Sequence, residues 1–173
     1  HPESLTFSAD SRRLAIGTNR SEVRVVEVPS GRELFSKADP EETGFIVGVA
    51  FSPDGATIAA VGGTGKVRLL DAATGTPIRA FGENMSRALV FAPDGKRIWS
   101  GSEDGTITLW NISDGSAVRT LAGHTGYLTS LLLRANGRTL LTSRRTRTLK
   151  LWDTPTGAPL PPPIPFAPNP WPH

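Results

Sequence analysis

The stretch FAPDGKRIWSGSEDGTITLWNISDG, residues Phe91–Gly115, decides the fold of this chain. Three turn signals punctuate it: PDG, EDG and SDG. In such turns Pro presets φ, Asp bonds its own backbone, and Gly accepts positive φ. Between the turns, RIWSGS and TITLWNI are rich in β-branched and large apolar residues, as strands are, and AVRTLAG follows as a further strand. The stretch therefore predicts a four-stranded antiparallel meander.

The same pattern occurs four times in the chain of 173 residues. Blocks of 25 residues align without a gap, and they are Phe7–Gly31, Phe51–Gly75, Phe91–Gly115 and Leu133–Gly157. Their starts are 44, 40 and 42 residues apart, so every length difference falls in the segments between blocks. Internal repetition at this period is typical of solenoids and propellers.

The predicted strands are apolar on both faces. In TITLWNI, the side chains of Ile107 and Leu109 point to one side of the sheet and that of Trp110 points to the other. Both faces need a cover, and no helical periodicity exists to supply one. The remaining cover is the next copy of the same sheet, so we expect meanders stacked around an axis as a β-propeller.

At one position of each block, two residues resemble the Trp-Asp pair of the WD-repeat family. The pairs are Trp110-Asn111, Trp152-Asp153, and the degenerate Leu70-Asp71 and Val26-Glu27. Gly123-His124 matches the family's Gly-His. The resemblance covers residues 4–164, and the short blades with their SPDG turns resemble those of bacterial members. It implies an all-β propeller of four-stranded antiparallel blades.

The resemblance also implies a hydrogen-bonded tetrad of His, Ser or Thr, a turn Asp and Trp within a blade. The residues carried over are Asp104 and Trp110 in the third copy and His124 and Trp152 in the fourth. The third copy has Glu83 where His belongs, and the fourth has Thr146 at the turn position. No blade has the complete tetrad, so we expect packing to supply most of the stability.

Four blades are few for a propeller, since family members usually have about seven. We therefore expect an incomplete, open propeller in residues 1–164, with blades at about 4–38, 46–82, 87–122 and 127–164. Residues 165–173 are a Pro-rich tail or the start of a missing blade. Sheet faces left open at both ends would need further blades or another chain. A closed ring of four blades is the alternative.

The residues favour no catalytic chemistry. Asp10, Asp54 and Asp94 recur at one position of the repeat, as turn residues do and a catalytic pair does not. The sequence has no Cys and no His pair at metal-ligand spacing. Gly63-Thr-Gly-Lys66 fails the phosphate-loop pattern because Val67 follows the Lys. We therefore expect no catalytic residue, no metal and no cofactor.

Positive charge is concentrated near the C-terminal end. Residues 1–123 carry 13 basic and 15 acidic side chains, a sum of −2, whereas residues 124–173 carry six basic and one acidic, a sum of +5. Arg144, Arg145 and Arg147 cluster at one predicted turn, while Arg134 and Arg138 lie at the other end of a strand. An acidic protein partner is plausible, and nucleic-acid binding is the weaker reading because the charges do not form one patch.

These observations favour a non-catalytic protein-interaction scaffold of the WD-repeat type, with no membrane span. The candidate partner contacts are Glu103, Tyr127, Arg144 and Arg145, with Glu83 and Asn84 weaker; the structural residues are Trp110, Asn111, Asp104, His124, Trp152 and Asp153. The alternatives are a regulatory or substrate-docking propeller of a larger enzyme, for example one linked to a kinase, a basic surface that binds nucleic acid or an acidic partner, and a purely structural fragment.

Overall fold

The computed structural model describes residues 1–38, 44–82, 85–122, 124, 126–144 and 149–161. Within these ranges all regular structure is β-strand, arranged as four sheets of four strands. Each sheet is an antiparallel meander in which strands pair in chain order. No helix in the described ranges is long and apolar enough to cross a membrane.

Each sheet corresponds to one sequence block plus the strand that follows it. Sheet 1 comprises β1 (Pro2–Phe7), β2 (Arg13–Thr18), β3 (Glu22–Glu27) and β4 (Glu33–Ala38). Sheet 2 comprises β5 (Gly48–Phe51), β6 (Thr57–Val61), β7 (Val67–Asp71) and β8 (Pro77–Phe81). Sheet 3 comprises β9 (Ser86–Phe91), β10 (Arg97–Ser102), β11 (Ile107–Asn111) and β12 (Ala117–Leu121). Sheet 4 comprises β13 (Leu128–Leu133), β14 (Thr139–Arg144), β15 (Leu149–Asp153) and β16 (Pro159–Leu160).

The sheets stack face to face in chain order. Their first strands lie innermost, where β1 packs on β5, β5 on β9, and β9 on β13. A groove runs between these four strands, along the axis around which the sheets are arranged. Its lining includes Leu5 of β1, in the first sheet, and Leu132 of β13, in the last. The arrangement is that of a β-propeller.

Three hydrophobic cores lie between successive sheets. In sheet 2 the side chain of Leu70 belongs to the core shared with sheet 1, and its neighbour Leu69 belongs to the core shared with sheet 3. In sheet 3, Trp110 faces sheet 2, while Ile107 and Leu109 face sheet 4. The alternation read from TITLWNI is therefore confirmed, and each inner sheet is covered on both faces by its neighbours.

Close contacts at the turns lock the stack further. Gly75 follows β7 with φ +71°, and a Cβ at this position would lie 2.7 Å from the ring of Phe35 in sheet 1. A Cβ on Gly115 would likewise lie 2.8 Å from the side chain of Phe81, and one on Gly157 would lie 2.9 Å from the side chain of Leu121. A side chain at these turns would push the sheets apart, so Gly is needed for space as well as for its positive φ.

The stack is open. Among the described residues, the apolar clusters join sheets 1 and 2, sheets 2 and 3, and sheets 3 and 4, and none joins sheet 4 to sheet 1. The predicted incomplete propeller is confirmed, and the alternative of a closed ring of four blades is wrong.

Candidate partner-binding face

One end of the fold carries the turns after β2, β6, β10 and β14, together with the loops that enter β5, β9 and β13. We call this end the turn face. The opposite end carries the turns that follow the first and third strands of each sheet. The meander topology produces this division, because successive antiparallel strands reverse direction.

The turn face of sheet 4 is held by a buried hydrogen-bond network. The indole Nε1 of Trp152 donates to Thr142 Oγ1 at 2.9 Å, and Nε2 of His124 lies 2.6 Å from the same oxygen. The His124 and Trp152 rings meet edge to face, with centroids 6.2 Å apart. His124, which precedes β13, is thereby fastened to β14 and β15.

Burial sets the charge state of this imidazole. Desolvation, with the positive charges of Lys150 and Arg144 nearby, lowers the pKa of His124 to about 4. The ring is therefore neutral near pH 7. Its Nδ1 is buried without a hydrogen-bond partner among the described residues. Thr146, expected at the turn position of this network, lies outside the described residues.

Sheet 3 contains part of the same network. Trp110 Nε1 donates to Ser100 Oγ at 2.8 Å, as Trp152 does to Thr142. Asp104 is exposed, and its Oδ1 accepts the backbone N–H of Thr106 at 2.8 Å. Asp104 therefore shapes its own turn. Three buried hydroxyls in this sheet have no partner within the described part of the chain, and they belong to Ser86, Ser102 and Thr108.

Sheet 2 lacks the network. Leu70 stands where sheets 3 and 4 have Trp, and Ala60 stands where they have Ser100 and Thr142. Both residues line a cleft between sheets 1 and 2, with the cationic Lys37 and Arg68 also on its wall. The smaller side chains leave space that an indole and a hydroxyl fill elsewhere.

Asn111 and Asp153, the second members of the Trp-Asp pairs, lie at the opposite end of the fold. Asn111 Oδ1 accepts from the hydroxyl of Ser113 at 3.0 Å. Asp153 Oδ2 accepts from the N–H and the hydroxyl of Thr156, at 3.1 and 2.5 Å. Bonding to the Thr156 hydroxyl lowers the pKa of the Asp153 carboxyl. Both residues form the turn after the third strand.

The predicted partner contacts differ in their surroundings. Tyr127, before β13, is 53% exposed. Glu103 is partly buried and forms an ion pair with Arg87 of the same sheet. Arg144 ends β14 opposite Leu128 and is half-buried, so its guanidinium is less solvated than the charge cluster suggested. Arg145, like Glu83 and Asn84, lies outside the described residues.

Two further exposed side chains share the position of Tyr127. Phe45 is 52% exposed and Met85 is 42% exposed. Each lies shortly before the first strand of its sheet, β5 and β9 respectively. All three stand six residues before a block start, at Phe51, Phe91 and Leu133. We call Phe45, Met85 and Tyr127 the loop row. Sequence reasoning singled out Tyr127 alone, although counting backward from each block start would have found its two counterparts.

Hydrogen bonds to the preceding sheet hold two members of the loop row. Next to Phe45, the Ile46 N–H donates to the Thr18 carbonyl at 2.9 Å. Next to Met85, the Ser86 N–H donates to the Gly65 carbonyl at 2.9 Å. A Cβ on Gly65 would lie 2.2 Å from the Met85 backbone, so the turn of sheet 2 fits closely under this loop. Phe45 and Met85 are thus presented by backbone that the preceding sheet holds in place.

The described residues of the turn face include no metal-binding cluster. No group of three or more His, Cys, Asp or Glu side chains that could hold a metal ion occurs in the part of the chain that is described. What the face presents is exposed apolar surface next to ion-paired and half-buried charges.

Comparison with known proteins gives two matching family models. The "Anaphase-promoting complex subunit 4 WD40 domain" model matches residues 5–87. The "WD domain, G-beta repeat" model matches residues 75–111 and 115–153. Together they account for most of the chain, and both describe WD repeats.

Individual proteins agree with this. "WD repeat-containing protein 82" of Drosophila melanogaster is 32% identical over 130 residues, covering 70% of this chain and 39% of that protein. "Autophagy-related protein 16" of Arabidopsis thaliana is 30% identical over 153 residues, covering 88% of this chain and 30% of that protein. The chain thus spans less than half the length of these two relatives. Both come from eukaryotes, so the bacterial character expected from the short blades stays a prediction.

Among solved structures, a chain of "Kuenenia stuttgartiensis Hydrazine Synthase" superposes with a TM-score of 0.81 at 18% identity. The match covers 92% of this chain and 48% of that one. At this identity the likeness concerns the fold alone.

Proposed function

The chain belongs to the WD-repeat family of β-propellers, and from that premise we propose that it is a non-catalytic scaffold that binds protein partners through its turn face. The observation that carries the proposal is the loop row. Three large exposed side chains, Phe45, Met85 and Tyr127, recur at one position of successive sheets. Exposed apolar residues at repeated positions of a rigid face are typical of binding surfaces rather than of chance exposure.

The composition of the row supports this reading. Aromatic residues and Met are enriched at protein interfaces because they bury large apolar area at little cost in conformational entropy. Tyr127 adds a hydroxyl, which can hydrogen-bond at the margin of a contact. Because backbone hydrogen bonds hold Ile46 and Ser86, a partner would meet the adjacent Phe45 and Met85 on backbone that is already ordered.

Charged residues surround the row in this proposal. Glu103 and Arg87 form one ion pair beside Met85, whose carbonyl accepts the Glu103 N–H at 3.2 Å. Arg144, which pairs with Leu128, adds positive charge near Tyr127. Charges at the rim of an interface set partner choice and association rate more than affinity. We therefore assign affinity to the loop row and selectivity to Glu103, Arg144 and Arg145, with an acidic protein surface as the preferred partner.

The organisation of the chain is part of the same proposal. We assign the propeller to residues 1–164, with blades at about 4–38, 46–82, 87–122 and 127–164. The exposed end faces are to be covered by further blades or by another chain. The non-catalytic assignment is supported by the WD-repeat relatives. The likeness to the hydrazine synthase chain concerns the fold and carries no argument for catalysis.

The test is partner capture with matched variants. The wild-type chain is immobilised, captured proteins are identified by mass spectrometry, and each is re-measured with Tyr127→Ala and Met85→Ala. The control is Val118→Ala, which removes a 53% exposed apolar side chain from β12, away from the turn face. We expect captured partners to be lost with the loop-row variants and retained with the control. Capture that all three variants leave unchanged would refute the proposed face.

A further inference from the structure

Sheet 4 exposes a face that the other sheets bury. Leu141 occupies the position that Ala15, Ala59 and Trp99 hold in sheets 1–3, and Leu151 occupies that of Val25, Leu69 and Leu109. The six counterparts are at most 5% exposed, because each is covered by the following sheet. Leu141 and Leu151 are only partly buried, while Leu132 and Leu160 on the same face are 62% and 37% exposed.

This face is a continuous leucine surface. Leu132, Leu141, Leu151 and Leu160 are direct neighbours across the four strands of sheet 4. Leu149 lies on the same side, at the position of the buried Val23, Val67 and Ile107. We call these five leucines the outgoing face. In sheets 1–3 the positions of Leu141, Leu149 and Leu151 lie on the side that receives the next sheet.

Sheet 1 exposes its other side, the one that in sheets 2–4 packs against the preceding sheet. Leu14 has the position of Ile58, Ile98 and Leu140, which are fully buried, and Val26 has that of Leu70, Trp110 and Trp152. Leu14 and Val26 are only partly buried, and Leu5 and Phe7 beside them are each 59% exposed. We call Leu5, Phe7, Leu14, Ile16 and Val26 the incoming face, since sheets 2–4 use these positions to meet the sheet before them.

The turn glycines give independent support. Gly75, Gly115 and Gly157 are each covered by a side chain of the preceding sheet. Gly31 holds the same position in sheet 1 with the same backbone conformation, φ +70°, but nothing lies within 4 Å of where its Cβ would stand. The turn of sheet 1 is therefore shaped to receive a preceding sheet.

We infer that the outgoing face of one chain docks on the incoming face of a second copy, and that two copies close one ring with two such junctions. The two faces are complementary by construction, because every internal junction of the chain joins an outgoing to an incoming face. A single copy does not bring its own two ends together, since no apolar cluster joins sheets 4 and 1 in the described structure. A second copy supplies both missing surfaces at once.

The length of a known propeller chain fits this closure. The chain covers 48% of the hydrazine synthase chain on which it superposes, so two copies supply a comparable length. The inference deepens the proposed covering of the end faces and names its occupant. Rotation about the ring axis would place both loop rows on the same side, so the dimer would present two copies of Phe45, Met85 and Tyr127 to a partner.

The test is the mass of the 18.4 kDa chain in solution, by size exclusion with light scattering over a dilution series. We expect the wild type to be a dimer. Leu132→Glu places a carboxylate on the outgoing face and Leu5→Glu places one on the incoming face. Since every dimer contains each substitution twice, the dissociation constant should rise at least about 100-fold in both variants. Circular dichroism checks that each variant remains folded, which the exposure of both leucines favours.

The control is Ile78→Glu, because Ile78 is 55% exposed on the outer strand β8 and lies on neither end face. It should leave the dimer intact. A mixture of Leu132→Glu and Leu5→Lys chains should form a one-to-one dimer, with one unaltered junction and one that sets carboxylate against ammonium. Such a rescue is expected only when sheet 4 docks on sheet 1.

Four results would overturn the inference: a monomeric wild type, a dimer that both substitutions leave intact, loss of the dimer with Leu132→Glu but not Leu5→Glu, or an open series of larger assemblies. Tyr127→Ala should not alter the mass in any of these experiments. The mass measurement can therefore refute the dimer while partner capture through the loop row is retained. Equally, capture can be refuted while the dimer is retained.

Discussion

Trp152 and Thr142 form the central contact of sheet 4, since the indole N–H donates to the hydroxyl at 2.9 Å and both residues are buried. The same hydroxyl also bonds His124, whereas among the described residues Ser100 of sheet 3 accepts a side-chain hydrogen bond from Trp110 only. We expect Thr142→Val to leave two buried nitrogen atoms without a partner and to lower the free energy of unfolding by about 2–4 kcal/mol. Ser100→Ala should cost about 1–2 kcal/mol. Urea denaturation of both variants compares them, and equal losses would contradict the shared role of Thr142.

The cleft beside Leu70 and Ala60 predicts a favourable coupling between two substitutions. Leu70→Trp alone would place an indole N–H in the core with no hydroxyl to accept it, so its apolar gain would be offset. Adding Ala60→Ser supplies the acceptor that Ser100 provides in sheet 3. We expect the free energy of unfolding of the double variant to exceed, by about 1 kcal/mol, the value obtained by adding the effects of the two single substitutions. A double-mutant cycle measured by thermal unfolding gives this coupling, and a value near zero would show that the indole does not adopt the orientation of Trp110.

His124 predicts a pH dependence. Its pKa is about 4 in the folded chain, mainly because the imidazole is buried, against a value near 6.5 when unfolded. The unfolded state therefore binds the proton more readily, so stability is complete above about pH 6.5 and falls as the pH drops toward about 4. We expect a loss of about 2 kcal/mol over this window.

His124→Gln is the matched variant for that effect, because its amide can bond Thr142 and does not titrate. Urea midpoints of both proteins at about pH 7 and about pH 4.5 isolate the histidine, since the turn aspartates are common to both. Parallel losses in the two proteins would show that His124 is not the titrating group.

Gly75 and Gly31 separate two effects of a turn glycine. Both have φ near +70°, so Gly→Ala should cause similar backbone strain at each. Only at Gly75 would the new Cβ meet the ring of Phe35. We expect Gly75→Ala to cost about 1–3 kcal/mol more than Gly31→Ala when both are made in the monomeric Leu132→Glu chain. Equal unfolding free energies would mean that Phe35 moves aside without loss.

The repeat made most of the fold predictable. Sheet number, strand order and the opposite orientations of Leu109 and Trp110 follow from alternation and turn chemistry, which act within a single sheet. The surroundings of Glu103 and Arg144 did not follow, because the ion pair with Arg87 and the partial burial of Arg144 depend on how strands pair in space. The loop row was missed for a related reason. Phe45 and Met85 lie between blocks, in segments whose variable length hides their equivalence to Tyr127.

The three separate cores have a consequence for how this chain opens. Sheets 2 and 3 have a neighbour on both faces, whereas sheets 1 and 4 have one each. Cohesion in such an array comes from nearest neighbours, so the ends should fray before the middle opens. Amide hydrogens of β6 and β10 should exchange with solvent most slowly and those of β2 and β14 faster, a gradient that docking at the ends would erase.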